Sequence, residues 1–512
     1  MAVSRANIIA KNSAYSVVCQ TLTLLIQFVV RTFFIKCLSI EYIGVNGLFS
    51  NILTILSFAD LGLVNAINYS LYKPLAKHDD YKVAQLMTLY KKVYRIIAVV
   101  VLVVGLSLVP FLDFFVKERP DIPENFSVVY MFFVFNSSVS FLFAYKQTLI
   151  IADQKKYVVA LYTFFITSAI CIVQCVELYW LQSFYLYLAL MVINTIAVNM
   201  FMSKKCNKMF PALSIEAPSP LSKEEKSNIF ENVKALAIYK FCNVSFTGTS
   251  NIILSKLFGV AIVGFCSNVY YVVNAGMGIL VQVLLSFVAT LGNLNAVENR
   301  ENKIKAFYKT TLFCFWLYGF ICTGLMLYMN DFLQIWLGDE YIVDNLIILA
   351  IVLIFYMDNV TFALCAYRTT MGLFTRLKYN PIASAFVNII LGVILGKYIG
   401  PAGVFLAIPI SRFLFINVFD MYVVFKYGLQ DKPYRLLLYM LIFPVFSLSV
   451  YCLLVLIGGK INFYNYFVSF ITKCIVFAII YNILFYAFFH RMNMFKDILR
   501  NISSIVIKKS LL

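Results

Sequence analysis

The chain has 512 residues, of which 62% are hydrophobic and 13% charged, against roughly 25% charged in an ordinary soluble domain. That composition excludes a soluble globular fold of this length and predicts a membrane protein with short loops. The net charge of +18 does not point to nucleic acid either, because the basic residues lie in short loops between long apolar runs.

A membrane helix needs about 20 mainly apolar residues. The first run, 13–37, follows Arg5 and Lys11 as a signal peptide would. It is too long for one and has no A-x-A-like cleavage site, so a retained first span is expected. Five more spans are expected at 46–72, 93–116, 126–152, 157–178 and 181–202. A polar connector rich in Lys, Glu, Ser and Pro covers 203–232. Eight further spans follow at 233–257, 261–290, 307–329, 342–366, 380–399, 403–425, 436–458 and 463–489. The basic tail 491–512 carries Met494, Ile498, Ile502 and Ile505 at helical spacing, which predicts an amphipathic helix on the inner interface.

Charge sets the orientation. With the N-terminus inside, about 32 of the 42 Lys and Arg fall on the cytoplasmic side. The outer loops carry acids instead: Glu118, Asp121 and Glu124 in one, Asp331, Asp339, Glu340 and Asp344 in another. A missed span would invert every later loop, so the bias predicts about fourteen spans with both termini in the cytoplasm.

Two short matches suggest an internal repeat. Lys36-x7-Gly44 recurs as Lys256-x7-Gly264, an offset of 220. Tyr145-Lys146-Gln147-Thr148, followed by Lys156-Tyr157, recurs as Tyr367-Arg368-Thr369-Thr370, followed by Lys378-Tyr379, an offset of 222. The expected fold is therefore an all-α polytopic membrane protein built from two pseudo-symmetric six-helix bundles and two extra C-terminal helices. The lobes would cover 1–202 and 233–430, with 203–232 as the connector, 431–490 as the added pair and 491–512 as the tail. Two such bundles of one orientation support alternating access by rocking.

Catalytic material is scarce. There are two histidines and twelve cysteines, with no C-x-x-C pair, so metal sites and Cys/His catalysis are not expected. No P-loop, glycosidase-like acid pair or nucleophile motif is present, and the outer loops are too short to hold a glycosyltransferase site. A non-enzyme without a cofactor is expected. The informative residues are charges within the spans, each costly unless paired or hydrated. Arg31, Lys240 and Arg412 are candidates to hold an anionic substrate, with Arg suited to bidentate phosphate contacts. Asp60 and Asp358 are candidates to bind and release a proton or cation, although Asp60 equally suits a cap or bend in the second span. Asp420 and Lys473 read as near-interface or peripheral. For all of these the alternative is structural pairing or snorkelling.

The stretch Gly44-Val45-Asn46-Gly47-Leu48-Phe49-Ser50-Asn51-Ile52-Leu53, then Phe58-Ala59-Asp60-Leu61-Gly62, Leu71-Tyr72-Lys73-Pro74-Leu75-Ala76 and Leu89-Tyr90-Lys91-Lys92-Val93-Tyr94-Arg95, resembles bacterial polysaccharide-biosynthesis membrane proteins, the Wzx-type flippases. The likeness is sharp over roughly the first 100 residues; beyond them it rests on helix count and on Gly400-Pro401-Ala402-Gly403. It implies the fold of the multidrug/oligosaccharidyl-lipid/polysaccharide (MOP) exporters, shared with MATE drug exporters and the lipid II flippase. It also implies an undecaprenyl-pyrophosphate-linked oligosaccharide as substrate, for O-antigen, capsule or exopolysaccharide synthesis at a bacterial inner membrane. Membrane lipids, a polysaccharide polymerase and a chain-length regulator are the implied partners, with coupling to an H+ or Na+ gradient and no nucleic acid. Relatives place an arginine of the first helix in a cationic cavity, and Arg31 fits that position. The alternative is a MATE-type exporter of cationic drugs, which would need acids facing the cleft. A non-transporting scaffold for glycosyltransferases would call for large soluble appendages.

Overall fold

The computed structural model describes residues 5–56, 70–72, 74–75, 77–153, 155–214, 220–225, 227, 246, 248–377, 379–458 and 465–500. Every regular element among them is helical. Contacts divide the chain into two compact units, Met1–Ser267 and Asn268–Leu512.

The first unit contains α1 (Arg5–Cys37), α2 (Ile40–Leu56), α3 (Asp80–Ser107), α4 (Phe126–Leu142), α5 (Ala144–Ala152), α6 (Lys156–Trp180) and α7 (Phe184–Met209). α1 packs along α6, α3 along α4, and α7 against both α4 and α6. Aromatic side chains fill the centre: Phe49 of α2 meets Phe126, Tyr130 and Phe133 of α4, and Tyr42 meets Phe184. α3 starts well before the span expected at 93–116, because Asp79 caps it by accepting from the Lys82 amide at 2.9 Å. Its first half, with Lys82, Lys91, Lys92 and Arg95, is helical but polar on one face.

The division between units falls inside α8 (Val260–Val297). In the first unit, the opening turns of α8 cross α2 in a reciprocal way. A Cβ on Gly44 would overlap the Val260 carbonyl, and one on Gly264 would lie 2.6 Å from the Ile40 carbonyl oxygen. Gly47 meets Ser267. Val260, Gly264 and Ser267 are Ile40, Gly44 and Gly47 displaced by 220 positions. Each contact is thus the mirror of the other across a local twofold, as an isologous pairing of repeated segments requires. The repeat read from Lys36-x7-Gly44 has this crossing as its physical content.

The second unit holds the rest of α8, then α9 (Arg300–Leu337), α10 (Asn345–Val360), α11 (Phe362–Thr370), α12 (Asn380–Ile399), α13 (Pro401–Leu429), α14 (Tyr434–Gly458) and α15 (Tyr466–Phe489). The hairpin between α12 and α13 turns at Gly400, whose φ of +84° suits glycine. It closes tightly because a Cβ on Gly403 would overlap the Leu395 carbonyl. α14 and α15, the added pair, both pack on α9. Phe315 stacks on Phe443 at 4.8 Å and Phe320 on Phe477 at 4.8 Å, and Lys473 Nζ lies 3.1 Å from Asp331 of α9. Lys473 therefore fastens α15 to α9. The tail is helical over 493–500, and Phe495 and Ile498 are buried. Phe495 packs edge-on against Trp316, so this part of the apolar stripe is used within the protein; Ile502 and Ile505 lie outside the described residues.

Nine described helices are long and apolar enough to cross a membrane, and two bent pairs raise that to eleven. The protein is a multi-pass membrane protein. Of the fourteen expected spans, the second and seventh run into residues outside the described set, and the third corresponds to the half-polar α3.

The connector touches the first unit through an ion pair. Lys82 Nζ lies 2.5 Å from Glu225 Oε1, and the Ser222 amide donates to Oε2 at 3.2 Å. The lysine, then the amide, hold the Glu225 carboxyl below its ordinary value of 4.5. The stabilisation is complete above that value and fades as pH falls through the lowered one. Both side chains are partly exposed, so the effect is small and local. Glu225→Gln is expected to speed proteolytic nicking within 203–232 at neutral pH. Acidification below 4.5 should do the same to the native chain and little to the variant. Equal nicking of both chains at neutral pH would show that this pair does not hold the segment.

Candidate functional site

Among the described residues, each unit contains one span that breaks and bends. α4 gives way to α5 at Phe143 with a bend of 44°, and α10 to α11 at Thr361 with a bend of 41°. Polar side chains compete for main-chain carbonyls near both breaks: Ser140 donates to the Ser137 carbonyl at 2.7 Å, Asn359 to Phe355 at 2.7 Å and Thr361 to Met357 at 2.7 Å. Such back-bonding bends helices.

The second repeated motif lies just beyond each break. Tyr145 and Tyr367 are buried, and Thr148 and Thr370 each donate to the carbonyl four residues back. Between them stand two cations in equivalent places, Lys146 on α5 and Arg368 on α11. Their partners differ. Lys146 Nζ donates to Ser203 Oγ at 2.7 Å and Asn207 Oδ1 at 3.0 Å, both on α7. Arg368 Nη1 donates to both oxygens of Asp420 on α13, at 2.8 and 2.6 Å. The Arg368 and Asp420 side chains are 5% and 6% exposed, which makes this a fully enclosed ion pair.

A second ion pair joins the same two helical segments. The Arg412 guanidinium of α13 donates to both carboxylate oxygens of Asp358, three residues before the break at Thr361. This pair is open on one side, since Arg412 is 13% exposed and Asp358 42%. The local backbone explains where the arginine and Asp420 project. Pro409 lacks an N–H and interrupts the ladder of α13, and π turns follow at Phe413–Asn417 and Val424–Leu429. Such wide turns rotate the side chains after them and recur at functional sites.

The sequence candidates are thus sorted by position. Arg412 and Asp358, expected in separate roles, are brought together as one pair. Arg31 lies partly buried on α1. Asp60 and Lys240 lie outside the described residues. Asp420, read as peripheral, is buried, and Arg368 was not singled out as a charge in a span. Its alignment with Lys146 was the available signal, because a cation repeated at the same place in both halves is a feature of the fold. Among the described residues no three His, Cys, Asp or Glu side chains converge as a metal site would need.

Two apolar spaces flank the added helices. A cavity of about 480 Å³ opens between α9, α10 and α14, lined by Cys322, Thr323, Tyr356, Pro444, Ser447 and Tyr451 among others. A groove of about 520 Å³ lies between α14 and α15, with Phe446, Leu453 and Phe488 on its walls.

Comparison with solved structures settles the architecture. The chain is similar to an inward-facing multidrug resistance MATE family transporter of the MOP superfamily, with a TM-score of 0.66, 11% identity, and coverage of 79% of this chain and 94% of that one. It is similar to the lipid II flippase MurJ in an inward closed conformation, with a TM-score of 0.65, 13% identity, and coverage of 94% of this chain and 100% of that one. The chain has the MATE/MurJ fold. A MATE in complex with MaD3S also matches, with a TM-score of 0.56, 10% identity, and coverage of 82% and 95%. No family model matches the sequence, and no curated protein matches it. The all-helical, MATE-like fold class expected from the sequence is borne out.

Proposed function

We propose that this protein is a flippase that moves an undecaprenyl-pyrophosphate-linked oligosaccharide across a bacterial inner membrane by alternating access, with both termini in the cytoplasm. The observation that carries the reading is the extent of the two matches. The lipid II flippase is covered in full and takes in 94% of this chain, whereas the MATE transporters take in 79% and 82%. The difference has the size of one helical pair. A polyprenyl tail is served by apolar spaces walled by α14 and α15, which a soluble drug does not need.

The charges support an anionic substrate. A cationic drug requires accessible acids, and Asp358 and Asp420 each have an arginine bound to them. In this reading Arg31, Lys240 and Arg412 hold the pyrophosphate, and Asp358 and Asp60 couple the cycle to H+ or Na+. The open Asp358–Arg412 pair gives the coupling a simple form. A proton on Asp358 releases the guanidinium, which then takes a phosphate oxygen in exchange for the carboxylate. The proton then passes to the cytoplasm while the phosphate holds the guanidinium, and departure of the substrate on the outer side restores the pair until a proton from that side opens it again.

The test is a strain lacking this chain. Undecaprenyl-linked repeat units should accumulate in the cytoplasmic leaflet and surface polysaccharide should be lost. Arg31→Ala and Arg412→Ala should fail to restore it, and Asp358→Asn should restore it only weakly and without dependence on the proton gradient. Absence of accumulation on deletion would remove the flippase reading, and an unchanged gradient dependence in Asp358→Asn would remove the exchange.

A further inference from the structure

The symmetry between Lys146 and Arg368 is incomplete, and the difference is chemical. The fold places a cation beyond the bent span in each unit. In the second unit Asp420 takes up the charge within the protein. In the first, the helix in the place of α13 is α7, and it offers Lys146 a hydroxyl and an amide oxygen instead. A guanidinium bound to a carboxylate is already neutralised, whereas an ammonium solvated by neutral oxygens keeps its charge for another partner.

That ammonium borders a cavity of about 290 Å³ between α3, α5 and the C-terminal end of α7. Thr88 and Lys91 of α3, Tyr145 and Lys146 of α5, and Asn207 of α7 supply its polar wall, and no carboxylate lines it. Lys91 is exposed and close enough to act electrostatically on Lys146, and Arg95 acts on Tyr145 in the same way. Two acids of this end are already engaged: Asp153 with Lys155 at 2.6 Å and Glu225 with Lys82. Like charges gathered around a polar cavity repel one another, and an anion relieves that repulsion. The level in the membrane is also defined. The lining residues of α3 directly precede its apolar stretch, and those of α7 directly follow its own, so the cavity lies where lipid phosphates lie.

We propose that this cavity is a binding site for a phosphate-bearing anion, held by Lys146 and Lys91 with Thr88 and Asn207 as hydrogen-bonding neighbours. None of its residues is among those assigned to the proposed substrate. The phosphate can belong to an anionic phospholipid headgroup or be free in solution, and the experiment separates the two.

The full chain is purified in a neutral detergent and titrated with phosphatidylglycerol, phosphatidylcholine or inorganic phosphate, with retained adducts read by native mass spectrometry and melting temperature followed in parallel. Phosphatidylglycerol is expected to be retained in preference to phosphatidylcholine. Lys146→Gln should weaken that retention about tenfold, the scale of one charge-assisted hydrogen bond. Lys146→Arg should keep it, and Lys397→Gln, at an exposed site on α12 of the second unit, should leave it unchanged. If inorganic phosphate alone raises the melting temperature of the native chain and not of Lys146→Gln, the site is supported with a free anion as its ligand. Should Lys146→Gln fail to fold, the exposed Lys91→Gln carries the same comparison. Equal retention of the two lipids with no response to phosphate, or undiminished phosphatidylglycerol binding in folded Lys146→Gln and Lys91→Gln chains, overturns the proposal.

Discussion

Asp420→Ala is expected to destabilise the protein by about 3–5 kcal/mol, the cost of leaving one member of an enclosed ion pair without the other. Arg368 is 4% exposed and would retain its charge without the carboxylate that balances it. The loss should appear as a lower melting temperature in detergent and reduced yield of monodisperse protein. Arg368→Met combined with Asp420→Leu should recover most of the stability, because matched apolar side chains remove both desolvation costs. Transport by that double variant separates two roles. If it is stable and active, the pair is structural; if stable and inactive, its charge serves the cycle. A melting temperature unchanged by Asp420→Ala would contradict the enclosed pair itself.

Gly44→Ala and Gly264→Ala should each reduce the amount of folded protein severely. The atoms that a Cβ would meet are the main-chain carbonyls of Val260 and Ile40, so no side-chain rotation relieves the clash. The cost should therefore exceed the roughly 1–3 kcal/mol of ordinary overpacking. Gly276 on the same helix α8 supplies the control, because nothing lies within 4 Å of its Cβ position. Gly276→Ala should be neutral or slightly stabilising, since alanine is the better helix former. Size-exclusion profiles of the tagged chains measure all three. If Gly44→Ala behaves like Gly276→Ala, the close crossing of α2 and α8 is wrong.

The sequence made the class and the repeat legible, because both are written in long-range patterns. Apolar length marks a span whatever it packs against, and the 220-residue offset survives in the glycines because helix contact tolerates no Cβ there. The site was less legible. Asp358 and Arg412 were visible as charges in spans, but nothing in their separation of 54 positions announces a shared ion pair. Arg368 was hidden by its neighbours: it follows an apolar run and precedes Arg376 and Lys378, so it reads as the first cation of an inner loop. The break at Thr361 keeps that stretch helical and buried instead. Asp420 suffered the same misplacement, since α13 continues to Leu429 through two π turns. The start of α3 was missed because hydropathy finds apolar length, whereas Asp79 begins the helix ahead of it.

The two ion pairs of the second unit also bear on how the chain enters the membrane. Along α10 and α11 the charges run acid then base, Asp358 then Arg368; along α13 they run base then acid, Arg412 then Asp420. The rungs close only if the two segments run in the same direction and in one register. A slip by one rung sets Asp358 against Asp420, or Arg368 against Arg412. An antiparallel arrangement sets both like pairs together at once. Over the stretch that bears the rungs each segment is neutral in sum, Lys426 of α13 lying beyond Asp420, so neither rung pair carries a net charge into the lipid during insertion, and the earlier segment awaits the later with the complementary pattern exposed. The ladder therefore proofreads topology: α12 is the single crossing between these segments, and a chain that crossed the bilayer an even number of times between them could not assemble it.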